Sequence, residues 1–206
     1  MDLVIVDYGV GNLASIKNML KKIGINSLIS GISSDIESAS KLILPGVGAF
    51  DTCVDKLNQS GLRETLSKRV LVDKVPILGI CVGMQLLLSG SEEGSGNGLG
   101  WVGGTNVRFN SSSMSTGTRI PHMGWTEVTF VKNSPLLDGM YPDPRFYFVH
   151  SYHAALSDDA DRLLTSDYGY PFAAALEHKN IIGVQFHPEK SHKFGMKLLE
   201  NYVRNY

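Results

Sequence analysis

The chain predicts an α/β fold: a mostly parallel central sheet with helices on both faces and a smaller antiparallel strand region. Three observations predict it. Short continuous apolar runs at Leu3 to Val6, Leu42 to Leu44 and Ile77 to Ile80 mark strands covered on both faces. Segments of helical character separate them, as in repeated βα units with right-handed crossovers. Beyond Val102 the pattern turns to closely spaced short strands, which suits antiparallel pairing at one edge.

In order, Leu3 to Val6 opens as a strand and Tyr8-Gly9-Val10-Gly11-Asn12 turns the chain. Leu13, Ile16, Met19, Leu20 and Ile23 recur at helical spacing up to Gly24, a good C-terminal stop. Ser27 to Ile29 is a second strand. Leu42 to Leu44 is a third, ending in Pro45-Gly46-Val47-Gly48. Helical material runs to about Val72, and Ile77 to Ile80 is the strand before Cys81. Glu92 to Gly100 and the Ser-rich Asn110 to Gly117 are loops. Strands are expected over Val102 to Phe109, Thr126 to Val131, Arg145 to Val149, Phe172 to Leu176 and Ile181 to Gln185. A last helix over Ser191 to Tyr206 carries Phe194, Leu198, Leu199, Tyr202 and Val203 on its apolar face.

The 206 residues are expected to form one domain, spanning 1–206, with a sizeable core. Lys and Arg number 19 against 20 Asp and Glu, a net charge of -1. That balance gives no electrostatic reason to invoke nucleic acid or an anionic membrane. Only two cysteines occur, Cys53 and Cys81, without a CxxC or metal-ligand spacing. Reduced thiols in a cytoplasmic protein are a simpler reading than a disulfide. No basic leader and no span-length apolar stretch is present, and no metal or cofactor is expected.

The run Val75 to Leu88 carries the most chemistry. It reads as a buried strand, a sharp Gly79-Ile80-Cys81-Val82-Gly83 corner and an apolar helix. A cysteine at a helix start faces free N–H groups that favour its thiolate. A lone cysteine in apolar company is ordinarily inert core, and a lone histidine is ordinarily structural. Cys81 has company, however. Ile181 to Glu189 offers a base and its orienting group: Pro188 biases His187 toward an extended backbone, and i and i+2 then share a side. Glu189 can therefore hold one imidazole nitrogen while the other faces Cys81. Pro45-Gly46-Val47-Gly48 follows a strand and leaves its N–H groups free to turn toward a ligand. With the Val82 N–H it could form an oxyanion hole. It lacks the Lys-Ser/Thr of a phosphate loop. All three segments are expected at one edge of one sheet, where ligands bind in open parallel sheets.

At these residues the chain resembles the class I glutamine amidotransferases. Gly79-Ile80-Cys81-Val82-Gly83-Met84-Gln85 looks like their nucleophile elbow and Phe186-His187-Pro188-Glu189 like their His–Glu segment. The match narrows to the glutaminase subunits of imidazole glycerol phosphate synthase. It does so through Tyr8 to Asn12, Pro45 to Phe50, Pro121-His122-Met123-Gly124-Trp125, Tyr147-Phe148-Val149-His150-Ser151-Tyr152 and His187 to Ser191.

The resemblance implies that Cys81 attacks the side-chain amide of glutamine and forms a thioester. His187 would protonate the ammonia and Glu189 would hold His187. It implies Gly48 and Val82 as oxyanion donors, and Gln85, Glu93, Ser151 and Tyr152 at the amino-acid end of the substrate. It implies a heterodimer with a barrel-shaped synthase subunit, met through Trp125, Tyr147 and Lys190. That partner would turn the ammonia into imidazole glycerol phosphate and an aminoimidazole carboxamide ribotide in histidine biosynthesis. Thr126 stands where Asn is common after the Trp, His153 stands where an aromatic residue or other group is common, and the Ser191 to Met196 tail is less typical. Related subunits feed ammonia to a different barrel partner for surface-sugar amidation, which is the alternative pathway. A non-catalytic binding module or another cysteine hydrolase on the same fold are the competing classes.

Overall fold

A computed structural model describes residues 3–113 and 119–206. The strands are β1 (Leu3–Val6), β2 (Leu28–Ser30), β3 (Lys41–Gly46), β4 (Ile77–Cys81), β5 (Gly104–Arg108), β6 (His122–Glu127), β7 (Thr129–Phe130), β8 (Arg145–His150), β9 (Tyr152–Leu156), β10 (Arg162–Asp167), β11 (Pro171–His178) and β12 (Ile181–Val184). The helices are α1 (Leu13–Lys22), α2 (Ser33–Ser38), α3 (Phe50–Gln59), α4 (Arg63–Ser67), α5 (Val82–Leu86) and α6 (His192–Asn205).

Among the described residues the main sheet has ten strands, in the order β2-β1-β3-β4-β12-β11-β10-β7 with β9 and β5 branching from β11. From β2 to β12 every pairing is parallel, and beyond β12 every pairing is antiparallel. The expected architecture is therefore present, with the antiparallel region at one edge. The continuous apolar runs have their physical reason in burial: every residue of β1, β4 and β12 is buried. Helix α1 turns Ile16 and Leu20 inward and ends ahead of Gly24, at φ +77. Helix α6 buries Phe194, Leu198, Leu199 and Tyr202, and the Tyr202 hydroxyl lies 2.6 Å from the Leu42 carbonyl oxygen.

A second sheet is a two-stranded antiparallel ribbon, β6 with β8. Its residues alternate. His122 and Thr126 face inward beside Phe146, Phe148 and His150, while Met123, Trp125, Tyr147 and Val149 lie on the outer side. The strand expected over Thr126 to Val131 is in fact two. Its first residues close β6, Val128 is buried at the break with its N–H bonded to the Pro144 carbonyl, and Thr129–Phe130 crosses to pair with β10. Periodicity carries no mark of a change of partner.

Three elements lie outside the sequence expectation. Helix α2 buries Ile36 alone, so it has no apolar repeat to read. Strand β9 is short and rich in alanine. Strand β10 is irregular against β11 on both sides of Leu164, which breaks its alternation. The expected Asn110 to Gly117 loop lies partly outside the described residues; Ser111–Ser113 form a short 3₁₀ turn. Both cysteines are free thiols. Among the described residues no helix is long and apolar enough to cross a membrane.

Candidate active site

The site lies where β3, β4 and β12 end. Strand β4 delivers Cys81 at φ +56 and ψ -114, a backbone conformation that costs a non-glycine residue energy. The strain follows from how steeply the chain leaves the strand. Helix α5 starts at Val82 and lies so close to the sheet that a Cβ on Gly83 would sit 1.9 Å from the Leu44 carbonyl oxygen. A Cβ on Gly79 would meet the Gly83 oxygen at 2.7 Å. The glycines flanking Cys81 thus permit the corner, and Cys81 occupies its apex. The helix ends at Leu86, short of the apolar run to Leu88. With so few turns, what it offers Cys81 is its unpaired first N–H groups more than a long dipole.

His187 comes from the neighbouring strand. β12 runs parallel to β4 with Val184 opposite Ile80, so the residues just past β12 emerge beside Cys81. The His187 N–H donates to the Tyr147 carbonyl at 2.9 Å. The Ser191 hydroxyl donates to the His187 carbonyl at 2.6 Å and accepts from the Tyr147 N–H at 3.0 Å. Backbone on both sides of the ring is thereby fixed. The ring's Nδ1 meets Glu189 Oε1 at 2.8 Å, and the Glu189 side chain is 1% exposed. Its other oxygen, Oε2, is buried without a hydrogen-bond partner among the described residues. Burial works against charge on His187, but hydrogen bonds and charge from Cys81 and Glu189 outweigh it and push the imidazole up to about 10. At neutral pH the ring is an imidazolium between a cysteine and a buried carboxylate.

A cavity of about 370 Å³ opens over Cys81. Gly48, Val82, Gln85, Glu93, Ser151, Tyr152, His187 and Lys190 all line it. Glu189 stands behind His187, outside the lining. Trp125 and Tyr147 are also outside, paired across the ribbon with ring centroids 6.3 Å apart. Lys190 reaches between the two regions, its Nζ 5.7 Å from the Tyr147 ring.

Gly48 has φ +87, and among the described residues its N–H has no protein acceptor. The chain leading into it is tied down twice: the Tyr8 hydroxyl donates to the Pro45 carbonyl at 2.7 Å and the Cys53 thiol to the Val47 carbonyl at 3.4 Å. Glu93 is held near by the start of α3, its Oε2 accepting from the Phe50 N–H at 2.9 Å. Asp51 binds the same loop through the Gly96 and Ser95 N–H groups, which keep its carboxyl below the usual range.

Two features were missed from sequence. Gln185 is fully buried, with its amide nitrogen 4.0 Å from the Cys81 sulfur and its Oε1 accepting from Gln85 Nε2 at 3.1 Å. The signal for it is an amide interrupting the apolar run Ile181 to Phe186. The second is a buried ring pair, His122 Nδ1 and His150 Nε2 at 3.0 Å, brought together by the β6–β8 register. Among the described residues no group of three metal-ligating side chains converges.

The model of the class-I glutamine amidotransferase family matches residues 4–205. An imidazole glycerol phosphate synthase subunit HisH 2 of Pseudomonas aeruginosa is 48% identical over 201 residues, covering 98% of each chain. The subunit HisH of Leptospira interrogans is 46% identical, covering 97% of this chain and 98% of its own. Among solved structures, PurLQS from Thermotoga maritima matches with a TM-score of 0.75 at 17% identity, over 99% of this chain and 97% of that one. A glutamine amidotransferase from Thermotoga maritima matches with a TM-score of 0.61 at 20% identity, over 100% of this chain and 81% of that one. These two share the fold. With near-complete coverage at close to half identity, the chain belongs to the HisH subunits of imidazole glycerol phosphate synthase, within the class-I glutamine amidotransferases.

Proposed function

We propose that this glutaminase subunit deamidates glutamine through Cys81, His187 and Glu189 and hands the ammonia to a barrel synthase subunit in histidine biosynthesis. The observation that carries the reading is the placement of His187, which lines one cavity with Cys81 and meets at Nδ1 a Glu189 carboxylate buried with no other partner among the described residues. Such an arrangement keeps an acid beside the leaving group.

The Cys81 thiolate attacks the carboxamide carbon, and the negative charge moves to the amide oxygen. The Gly48 and Val82 N–H groups donate to that oxygen. His187 gives its proton to the nitrogen as the C–N bond breaks, leaving a γ-glutamyl thioester and ammonia. Neutral His187 then takes a proton from water as the water attacks the thioester. Collapse releases glutamate and restores thiolate and imidazolium. The Glu93 carboxylate supplies negative charge for the substrate's ammonium group, with Gln85, Ser151 and Tyr152 as further polar contacts.

Ammonia released into water is largely protonated near neutrality and is then no nucleophile, so a shielded delivery path favours a docked acceptor. The outer side of the ribbon suits docking. Met123 is 61% exposed and Trp125 43% exposed, with Tyr147 beside them and Lys190 at the mouth of the cavity. The acceptor chemistry, on the partner, yields imidazole glycerol phosphate and an aminoimidazole carboxamide ribotide.

Cys81→Ala tests the reading. Glutamine-dependent synthesis by the assembled subunits is expected to vanish while synthesis from added ammonium salt continues. Glutamine hydrolysis that survives in the variant contradicts it.

A further inference from the structure

The hydrogen bonds around His122 and His150 have a defined direction. The Tyr152 carbonyl only accepts, so His150 Nδ1, 2.8 Å away, carries a proton. In a neutral ring Nε2 is then a lone pair, and it accepts from His122 Nδ1 at 3.0 Å. His122 Nε2 is left to accept from the Thr126 hydroxyl at 2.7 Å. The chain of donors thus runs from Thr126 through both rings to Tyr152. Burial holds His122 down at about 4 and His150 at about 3, so both rings are neutral near pH 7.

The Tyr152 carbonyl has a second donor, Gln85 Nε2 at 3.1 Å. That nitrogen also donates to Gln185 Oε1 at 3.1 Å. Both Gln85 N–H bonds are therefore used by protein acceptors. What Gln85 offers a ligand in the cavity is its Oε1, an acceptor. An amide turned the other way would place its oxygen against two acceptors, which is repulsive.

Resting on the glutaminase reading, we propose that Thr126, His122 and His150 are positioning residues: they orient the Tyr152 carbonyl and, through it, the Gln85 amide, so that Gln85 presents an oxygen to N–H groups of the substrate. Packing alone does not ask for these atoms. His122 stacks between Phe148 and Tyr168, at centroid distances of 4.8 and 4.1 Å, and phenylalanine would fill that slot. Without the His122 N–H, however, the buried Nε2 lone pair of His150 has no donor, and the ring turns to find one, drawing Nδ1 off the Tyr152 carbonyl.

The test uses the full chain and two alkylating probes of Cys81. Iodoacetamide needs only the thiolate. A diazo-ketone analogue of glutamine needs the thiolate and the substrate contacts. In His122→Phe the rate with the analogue is expected to fall about tenfold while the iodoacetamide rate holds. Thr126→Val, which keeps shape and removes the donor, should lose about fivefold with the analogue, and Thr126→Ser should restore it. Equal rates with both probes in His122→Phe and wild type would overturn the positioning role. So would rates that fall together, since Cys81 itself would then be disturbed. Wild type that reacts with iodoacetamide and not with the analogue removes the glutamine reading and this proposal with it.

Discussion

Glu189 Oε1 has one partner, His187, and Oε2 has none. A buried carboxylate in that position favours a proton on the neighbouring ring, which raises the His187 value. Glu189→Gln keeps the shape and removes the charge. Glutaminase turnover is expected to drop by about 10²–10⁴, and the alkaline limb of its pH profile to move to lower pH. The sign follows from the raised His187 value. Protonation-linked stabilisation is complete below the unfolded value of 6.5 and is lost as pH rises through about 10. Wild type should therefore lose stability across that window in denaturant titrations, and Glu189→Gln should lose less. At this scale the His187–Glu189 contact was legible because His187-Pro188-Glu189 fixes an i, i+2 relation within three residues. The His122–His150 pair was not, because its members are joined only by the register of β6 against β8. Gln185 was hidden likewise, its partners Gln85 and Cys81 lying about a hundred positions away in sequence.

At the scale of elements, the corner after β4 depends on the closeness of α5 to β3. Gly83→Ala would drive a methyl group into the Leu44 carbonyl. Urea unfolding is expected to show a loss of about 1–3 kcal/mol, as overpacking does in other cores. The reactivity of Cys81 should fall as well, since α5 carries the Val82 N–H. An unchanged midpoint and unchanged reactivity would contradict so tight a contact. The parallel strands were legible because burial on both faces leaves them uniformly apolar. Helix α2 and strand β10 were not, the first because only Ile36 is buried and the second because its pairing is irregular. The break between β6 and β7 has the same character: a change of partner strand, at Val128, leaves no trace in composition.

Across the whole molecule, two surfaces meet at the cavity. One is the sheet edge bearing Cys81, Gly48 and His187; the other is the ribbon, whose inner side holds His122 and His150 and whose outer side exposes Met123 and Trp125. Val149 and Lys190 border both the cavity and the ribbon's outer side, so a partner docked there would close over the cavity that holds Cys81. The proposed chemistry is covalent, with Cys81 carrying the γ-glutamyl group between two half-reactions. Acid quenching during glutamine turnover, followed by peptide mass analysis, tests it most directly. A γ-glutamyl adduct on the peptide bearing Cys81 is the predicted result. Turnover with no adduct there, or with the adduct on Cys53, would contradict it.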